Sequence, residues 1–253
     1  MTALPRRLDR LPDVPTETRA WTALAAFGLA TGGFVAGVVG ILFTRPTAAA
    51  LGLVGTEAFE YASGTLIQVG FAGFAVAYLL TRSDRERFVR VRRPSVEGVA
   101  WLLLGMPLTI YLGLGAGELL TTVLGPAAHH GAGGGELALV ANLHLLPVAI
   151  GWQLLFAAPA EELVYRGIVH GRLRAAFDTV GVVLLGALAF GFMHFLVGLL
   201  TPGSVSALRW GLSTVVPGLV WGLAYERTDN LVVPAALHFA SWTVPFETIL
   251  PFV

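Results

Sequence analysis

The sequence predicts an all-α, polytopic integral membrane protein in which about seven transmembrane helices surround a polar cavity embedded in the membrane. Composition is the first reason, because 55% of the 253 residues are hydrophobic and only 13% are charged. Soluble domains carry about 25% charged residues. Charge distribution is the second reason. The charged residues lie in a few short segments, and the apolar runs between them are long enough to cross a bilayer as helices.

The apolar runs define the domain organisation. We expect residues 1–19 to form a polar cytoplasmic tail and residues 20–253 to form a single membrane domain. The fourth run is too long for one straight span, so we expect it to tilt, to kink at Pro147 or Pro159, or to emerge from the bilayer. The predicted helices cover roughly residues 20–44, 61–81, 96–124, 137–177, 179–200, 205–225 and 231–250.

The arginines predict the orientation. They lie in the N-terminal tail, in the loop between the second and third helices, at the end of the fourth helix and in the turn before the seventh. The opposite loops hold only Arg45 and Arg209. Because basic residues stay on the cytoplasmic side, we predict a multi-pass protein of the cell membrane with a cytoplasmic N-terminus. Its expected partners are membrane lipids and a membrane-tethered peptide or protein, and no nucleic acid.

Two features of the sequence bear on packing and on the kind of site. Gly33 and Gly37 form a small-xxx-small pair that suits close helix contact, although glycine is common in any membrane helix. The chain has no cysteine, which excludes disulfides, thiolate zinc ligands and a cysteine nucleophile.

The fourth helix carries the ionisable residues that point to chemistry. Glu161 and Glu162 follow some twenty apolar residues, and Arg166 comes four positions after Glu162. Charged groups are costly in hydrocarbon, so at this depth they mark functional sites. Residues four apart share a helix face and can pair, whereas Glu161 points about 100° away from Glu162. We expect one carboxylate to be held by the arginine and the other to serve the reaction.

Two histidines are predicted at the same depth as these carboxylates. Helical rise places Glu161 roughly 20 Å from the cytoplasmic end of the fourth helix. It places His194 roughly 22 Å into the fifth helix and His238 roughly 12 Å into the seventh. Phe190 lies four residues before His194, and Trp242 lies four after His238, so each ring can fix an imidazole.

These residue types support several mechanisms. A carboxylate in a membrane cavity suits a general base that takes a proton from water. The two histidines can hold that water, bind a metal with it, or donate to a developing oxyanion. Glu161, His194 and His238 would be the ligands of such a metal, because two histidines, one glutamate and a water form an accepted catalytic zinc site.

Three short motifs carry a family resemblance. Glu161 to Arg166 matches EExxxR, Phe190 to His194 matches FxxxH, and Asn230 with His238 resembles a third motif. In order and spacing these are similar to the CPBP family of intramembrane proteases, which includes CAAX prenyl endopeptidases and bacteriocin-processing or immunity proteins. The resemblance covers residues 145–245, and the protease-like core about residues 137–250. The first three helices do not contribute.

The resemblance implies roles for the residues that match. Glu161 would be the catalytic base, helped by His194. His238 would orient the water or stabilise the oxyanion, while Glu162 and Arg166 would support the site. The family is described both as metalloproteases and as glutamate proteases without a tightly bound metal.

One position departs from the family pattern. The third motif usually continues to Asn or Asp, and this chain has Trp242 there. An indole can donate one hydrogen bond but cannot ligate a metal.

The predicted function is therefore an intramembrane endopeptidase that cleaves a membrane-associated peptide, of prenylated CAAX type or a leader peptide. The chain has no HExxH and no GxSG, which excludes site-2 zinc and rhomboid-type sites. Two alternatives stay open, namely a proton-coupled transporter and a non-catalytic scaffold or immunity protein on the same fold. The remaining acids and histidines are expected to be interfacial, solvated or structural: Glu118, Glu247, His129, His130, His144 and His170.

Overall fold

The computed structural model describes residues 14–125, 139, 142–200 and 203–243. All regular secondary structure within these ranges is helical, which confirms the predicted all-α class. His129, His130 and Glu247 lie outside the described residues. The main helices are α1 (Thr16–Ala50), α2 (Glu57–Ser63), α3 (Ile67–Leu80), α4 (Val96–Leu124), α5 (Leu143–Leu173), α6 (Thr179–Gly198), α7 (Ser204–Thr228) and α8 (Val232–Thr243).

Four helices in the described part of the chain are long and apolar enough to cross a membrane, namely α1, α4, α5 and α6. A fifth span results if α2 and α3, which meet at 58°, form one bent span. The chain is therefore a multi-pass membrane protein. The predicted sixth and seventh helices exist as α7 and α8, but neither is among the helices that are long and apolar enough to cross a membrane. Ser, Thr and Arg209 interrupt the apolar residues of α7, and α8 has 12 described residues. The count of seven spans and the orientation remain predictions.

Helix α5 changes its winding along its length. It is π-helical over Ala149–Ala157, α-helical over Ala158–Glu162 and π-helical again over Leu163–Val169. Pro159 lies at this change and has no N–H to donate to the preceding turn. The overlong fourth run is thus one helix of 31 residues with altered winding. π-Helical turns are frequent at functional sites, and the turn between them carries both glutamates.

Helices α1 and α3 cross with their backbones in close contact. A Cβ at Gly70 would lie 1.9 Å from the Ala36 carbonyl oxygen, and one at Gly37 would lie 2.4 Å from Ile67 Cγ1. The packing at Gly33 is less close, because a Cβ there would lie 3.3 Å from Val164 Cγ1. Of the two interpretations of the small-xxx-small pair, the structure supports helix contact, because small residues let membrane helices approach.

The arginine-rich loop before α4 is attached to the turn between α7 and α8. Arg90 and Arg92 both donate to Asp229, a non-glycine residue with a positive φ of 50°. The Asn230 side chain pairs with the backbone N–H and C=O of Arg92. Phe88 inserts from the same loop against Gly167 and Gly171 of α5. The sequence explained these arginines only as determinants of topology. The structure shows that two of them also fix the start of α8.

The two described histidines outside the motifs, His144 and His170, lie in the predicted solvated and structural positions. His170 is buried, and its Nδ1 lies 2.9 Å from the Glu226 carboxylate, which also accepts from Arg174. His144 is exposed at the start of α5 and pairs with Glu57.

The α1–α3 crossing gives a direct test of the packing. We expect Gly70→Ala to lower the free energy of unfolding in micelles by at least about 1–3 kcal/mol, because the added methyl meets backbone atoms that cannot move aside. Gly73→Ala is the matched control on the same helix, since its Cβ has nothing within 4 Å. The control should leave stability unchanged or raise it by up to about 1 kcal/mol. Equal effects of the two substitutions in a denaturation series would contradict the described crossing.

Candidate functional site

The site is organised around the α-helical turn of α5 that carries both glutamates. Glu161 is 2% exposed and Glu162 is 0% exposed. Consecutive residues on a helix project about 100° apart. The two carboxylates therefore contact different neighbours, with Glu161 near α3 and α6 and Glu162 near α8.

Glu162 is the acceptor at the centre of a buried charge network. Its Oε1 accepts a hydrogen bond of 2.9 Å from Arg166 Nη1 and lies 2.8 Å from His238 Nδ1. Arg166 is 1% exposed, and its guanidinium stacks on Phe190 at 4.6 Å and on Trp221 at 5.6 Å from the ring centroids. The arginine holds Glu162, as the spacing predicted, and the network also includes His238.

Glu161 has one occupied and one free oxygen. Its Oε2 accepts a 2.7 Å hydrogen bond from Gln68 Nε2 of α3. Its Oε1 is buried and has no hydrogen-bond partner among the described residues. That oxygen lies 4.0 Å from His194 Nε2, too far for a direct hydrogen bond.

The hydrogen bonds of the two histidines define which nitrogens remain available. His194 Nδ1 lies 3.0 Å from the Phe190 carbonyl oxygen, which can only accept. The proton is therefore on Nδ1, and in the neutral ring Nε2 carries the lone pair facing Glu161. His238 Nδ1 likewise donates to the Glu162 carboxylate, so its Nε2 is the nitrogen available for other contacts.

Aromatic rings hold both imidazoles. The Phe190 ring lies 4.5 Å from His194 and 6.0 Å from His238, measured between ring centroids. Trp242 and Trp221 lie 4.2 Å and 4.5 Å from His238. The predicted pairs Phe190–His194 and His238–Trp242 are therefore in contact, and Phe190 joins the two halves of the site.

The predicted metal ligands do not come together as one set. Within the described ranges, no group of three or more His, Asp or Glu side chains is arranged to hold a metal ion. Glu161 faces His194, whereas His238 is held by Glu162. The residues present do not fit a zinc site of Glu161, His194 and His238 in this arrangement, and the zinc expectation stays a prediction.

Residues before α4 also contribute to the site, although they carry none of the motifs of the family resemblance. Gln68 bonds Glu161, and Tyr61 Oη donates to Gln153 Oε1 on α5 at 2.9 Å. A signal was present in the sequence, because Gln68 is the one polar side chain in the apolar stretch of α3 before Tyr78. Buried polar residues in membrane helices face the bundle interior and mark function.

Comparisons with known proteins find a similarity over the part of the chain that carries this site. A family model described as "Type II CAAX prenyl endopeptidase Rce1-like" matches residues 143–243. A curated protein of Mycolicibacterium smegmatis (strain ATCC 700084 / mc(2)155), described as a triacylglyceride transporter, is 28% identical over 209 residues. That match covers 76% of this chain and 37% of the relative, so the chain spans little more than a third of that protein. No solved structure gives a significant match.

The matched residues include every predicted catalytic and supporting position. Glu161, Glu162 and Arg166 lie on α5, and His194 and His238 lie on α6 and α8. Residues 143–243 are therefore similar to the Rce1-like type II CAAX prenyl endopeptidases, and this match supports the CPBP resemblance that the motifs indicated.

Proposed function

We propose that this protein is an intramembrane endopeptidase in which Glu161 activates a water molecule for attack on a peptide bond. One observation carries the proposal. Glu161 Oε1 and His194 Nε2 are two hydrogen-bond acceptors 4.0 Å apart, buried among membrane helices. A water molecule about 2.8 Å from both atoms would donate one hydrogen to each. Its oxygen lone pairs would then face away from both acceptors, toward a substrate carbonyl.

The proposed reaction requires only protein side chains and water. Glu161 removes a proton from the water as the new oxygen–carbon bond forms, and His194 holds the second hydrogen. The tetrahedral intermediate carries its charge on the former carbonyl oxygen. Its collapse breaks the carbon–nitrogen bond, and the proton held by Glu161 passes to the leaving amine. No step uses a metal ion.

His238 is the proposed oxyanion donor. The Glu162 carboxylate accepts from its Nδ1, and in the proposed reaction its Nε2 would donate to the oxyanion. Trp242 packs on the same ring, and its indole N–H supplies one further donor where the family usually has Asn or Asp. In this proposal Phe190 and Arg166 keep the histidines and Glu162 in place.

The proposed substrate is a membrane-associated peptide, and the family description supports a CAAX-type prenylated tail over a leader peptide. Such a substrate would reach the buried carboxylates from within the bilayer or from its cytoplasmic side, where the predicted orientation places the end of α5. The remaining proposed partners are membrane lipids.

The experiment that tests the function is cleavage of membrane-tethered peptides by purified protein in liposomes. We expect Glu161→Gln to reduce cleavage by about 10²–10⁴-fold, because the amide cannot take a proton from water. Glu118→Gln is the matched control, since Glu118 is an exposed glutamate on α4. Cleavage by Glu161→Gln at the rate of the control would remove the proposed base.

Substitution of the neighbouring Glu162 should reduce the stability of the fold, not only the rate of cleavage. Glu162→Ala leaves the buried Arg166 without its charge partner and His238 without its acceptor. We expect it to lower the free energy of unfolding by about 3–5 kcal/mol. Glu161→Gln should stay within about 1 kcal/mol of wild type, because the amide is nearly isosteric and can still accept from Gln68. Denaturation in micelles measures both, and a stable Glu162→Ala would contradict the assigned network.

Lipid transport is a second candidate, which one structural observation favours. The curated relative is described as a triacylglyceride transporter. An apolar cavity of about 490 Å³ lies between α1, α2, α3 and α5. Its volume is within the range of small-molecule sites, so it could hold part of a lipid molecule. Its walls include Phe43, Leu51, Phe59, Leu66 and Trp152.

Lipid flux through the same liposomes separates the two candidates. We expect no flux of a fluorescent triacylglyceride above that of empty liposomes, together with Glu161-dependent cleavage. Flux that continues in Glu161→Gln, without cleavage by wild type, would favour transport. Absence of both activities would favour the non-catalytic scaffold.

A further inference from the structure

A line of buried hydrogen bonds joins α2 and α3 to α5. Tyr61 bonds Gln153, and Trp152 Nε1 donates to Thr65 Oγ1 at 2.7 Å. Three residues after Thr65, Gln68 Nε2 donates to Glu161 Oε2 at 2.7 Å. The two fully buried bonds, Tyr61–Gln153 and Gln68–Glu161, run in the same order along both partners, so they fix the axial position of the α2–α3 segment against the turn that carries Glu161.

The amide of Gln68 can take only one orientation at this carboxylate. An ionised carboxylate accepts hydrogen bonds and donates none, so the nitrogen of the amide must face Glu161. Gln68 is 4% exposed, and its Oε1 is buried without a hydrogen-bond partner among the described residues. A buried polar atom left unpaired calls for a functional explanation. In Gln68 the amide nitrogen donates to Glu161, whereas the amide oxygen has no hydrogen-bond partner among the described residues.

We propose that Gln68 is a positioning residue that makes the two oxygens of Glu161 inequivalent. The terminal torsion of a glutamate is broad, so an unrestrained carboxylate can rotate and exchange its oxygens. The Gln68 amide holds Oε2, which leaves Oε1 directed at His194 Nε2. Gln68 lies outside the family-matched residues 143–243, so this device comes from the N-terminal part of the chain. The inference rests on the proposed function of Glu161.

The test compares Gln68→Met with Gln153→Met in the liposome cleavage assay. Both substitutions roughly keep side-chain volume and remove one buried hydrogen bond between the α2–α3 segment and α5. Both should lower Tm, Gln68→Met by somewhat more because its acceptor is a carboxylate. We expect only Gln68→Met to reduce kcat, by about 10- to 100-fold, because small displacements of a catalytic group cost rates of this size. KM should stay within about twofold for both, since neither residue is assigned to substrate binding.

Two further variants keep the outcomes distinct. Gln68→Asn retains a buried amide on a shorter side chain and replaces the Met variant if that one does not fold; its kcat should also fall. Unchanged kcat in a folded Gln68 variant, or an equal loss in Gln153→Met, overturns the positioning role. Glu161→Gln assayed alongside tests the proposed function separately. If it cleaves like wild type, or if wild type does not cleave, the proposed function fails and this inference fails with it.

Discussion

The hydrogen-bonded charges of Glu162, Arg166 and His238 are the constraint on which the site depends. Burying a carboxylate and a guanidinium among membrane helices is expensive unless each is paired. Here one carboxylate oxygen serves both the arginine on its own helix and the histidine on α8. The pairing engages Glu162 Oε1 and ties α5 to α8, while Oε2 is buried without a hydrogen-bond partner among the described residues. Among the described residues Arg166 pairs with Glu162 and not with Glu161, so the Glu161 carboxylate remains available as a base.

Two adjacent glutamates can contact different helices because consecutive residues of α5 project about 100° apart. The α-helical turn at Ala158–Glu162 lies between two wider, π-helical stretches. Small residues around the site allow neighbouring helices to approach closely, as where a Cβ at Gly191 would meet the Gly211 carbonyl oxygen at 2.6 Å. α6 and α7 are thereby packed against each other directly beside His194. The chemistry of the site thus depends on backbone features as much as on its charged side chains.

Sequence patterns predicted the central part of this arrangement but not its surroundings. The bounds of α4 and α6, the pairing of Glu162 with Arg166 and the contact of Phe190 with His194 all follow from helical periodicity, which is local. The contact between Gln68 and Glu161 joins residues 93 positions apart, and periodicity carries no information about such a distance. The bend between α2 and α3 was also missed, although Ser63, Gly64 and Thr65 lie at it, because the apolar residues on both sides read as one continuous span.

Charge patterns likewise predicted local features but not contacts between residues far apart in the sequence. A dense run of arginines indicates which side of the membrane a loop occupies. It does not indicate that Arg90 and Arg92 converge on Asp229 and so fix the turn that precedes α8. Likewise, equal depth of Glu161, His194 and His238 predicted one shared cluster. The structure instead divides them into a Glu161–His194 pair and a Glu162–His238 pair, because hydrogen-bond direction is not encoded in depth.

The most direct measurement is an experimental structure at a resolution that shows ordered water, determined in lipid or detergent at neutral pH. The account predicts density for a water within about 3 Å of both Glu161 Oε1 and His194 Nε2, with Gln68 on the opposite oxygen of the carboxylate. Apolar side chains packed between Glu161 and His194, or the two side chains turned toward different helices, would contradict it.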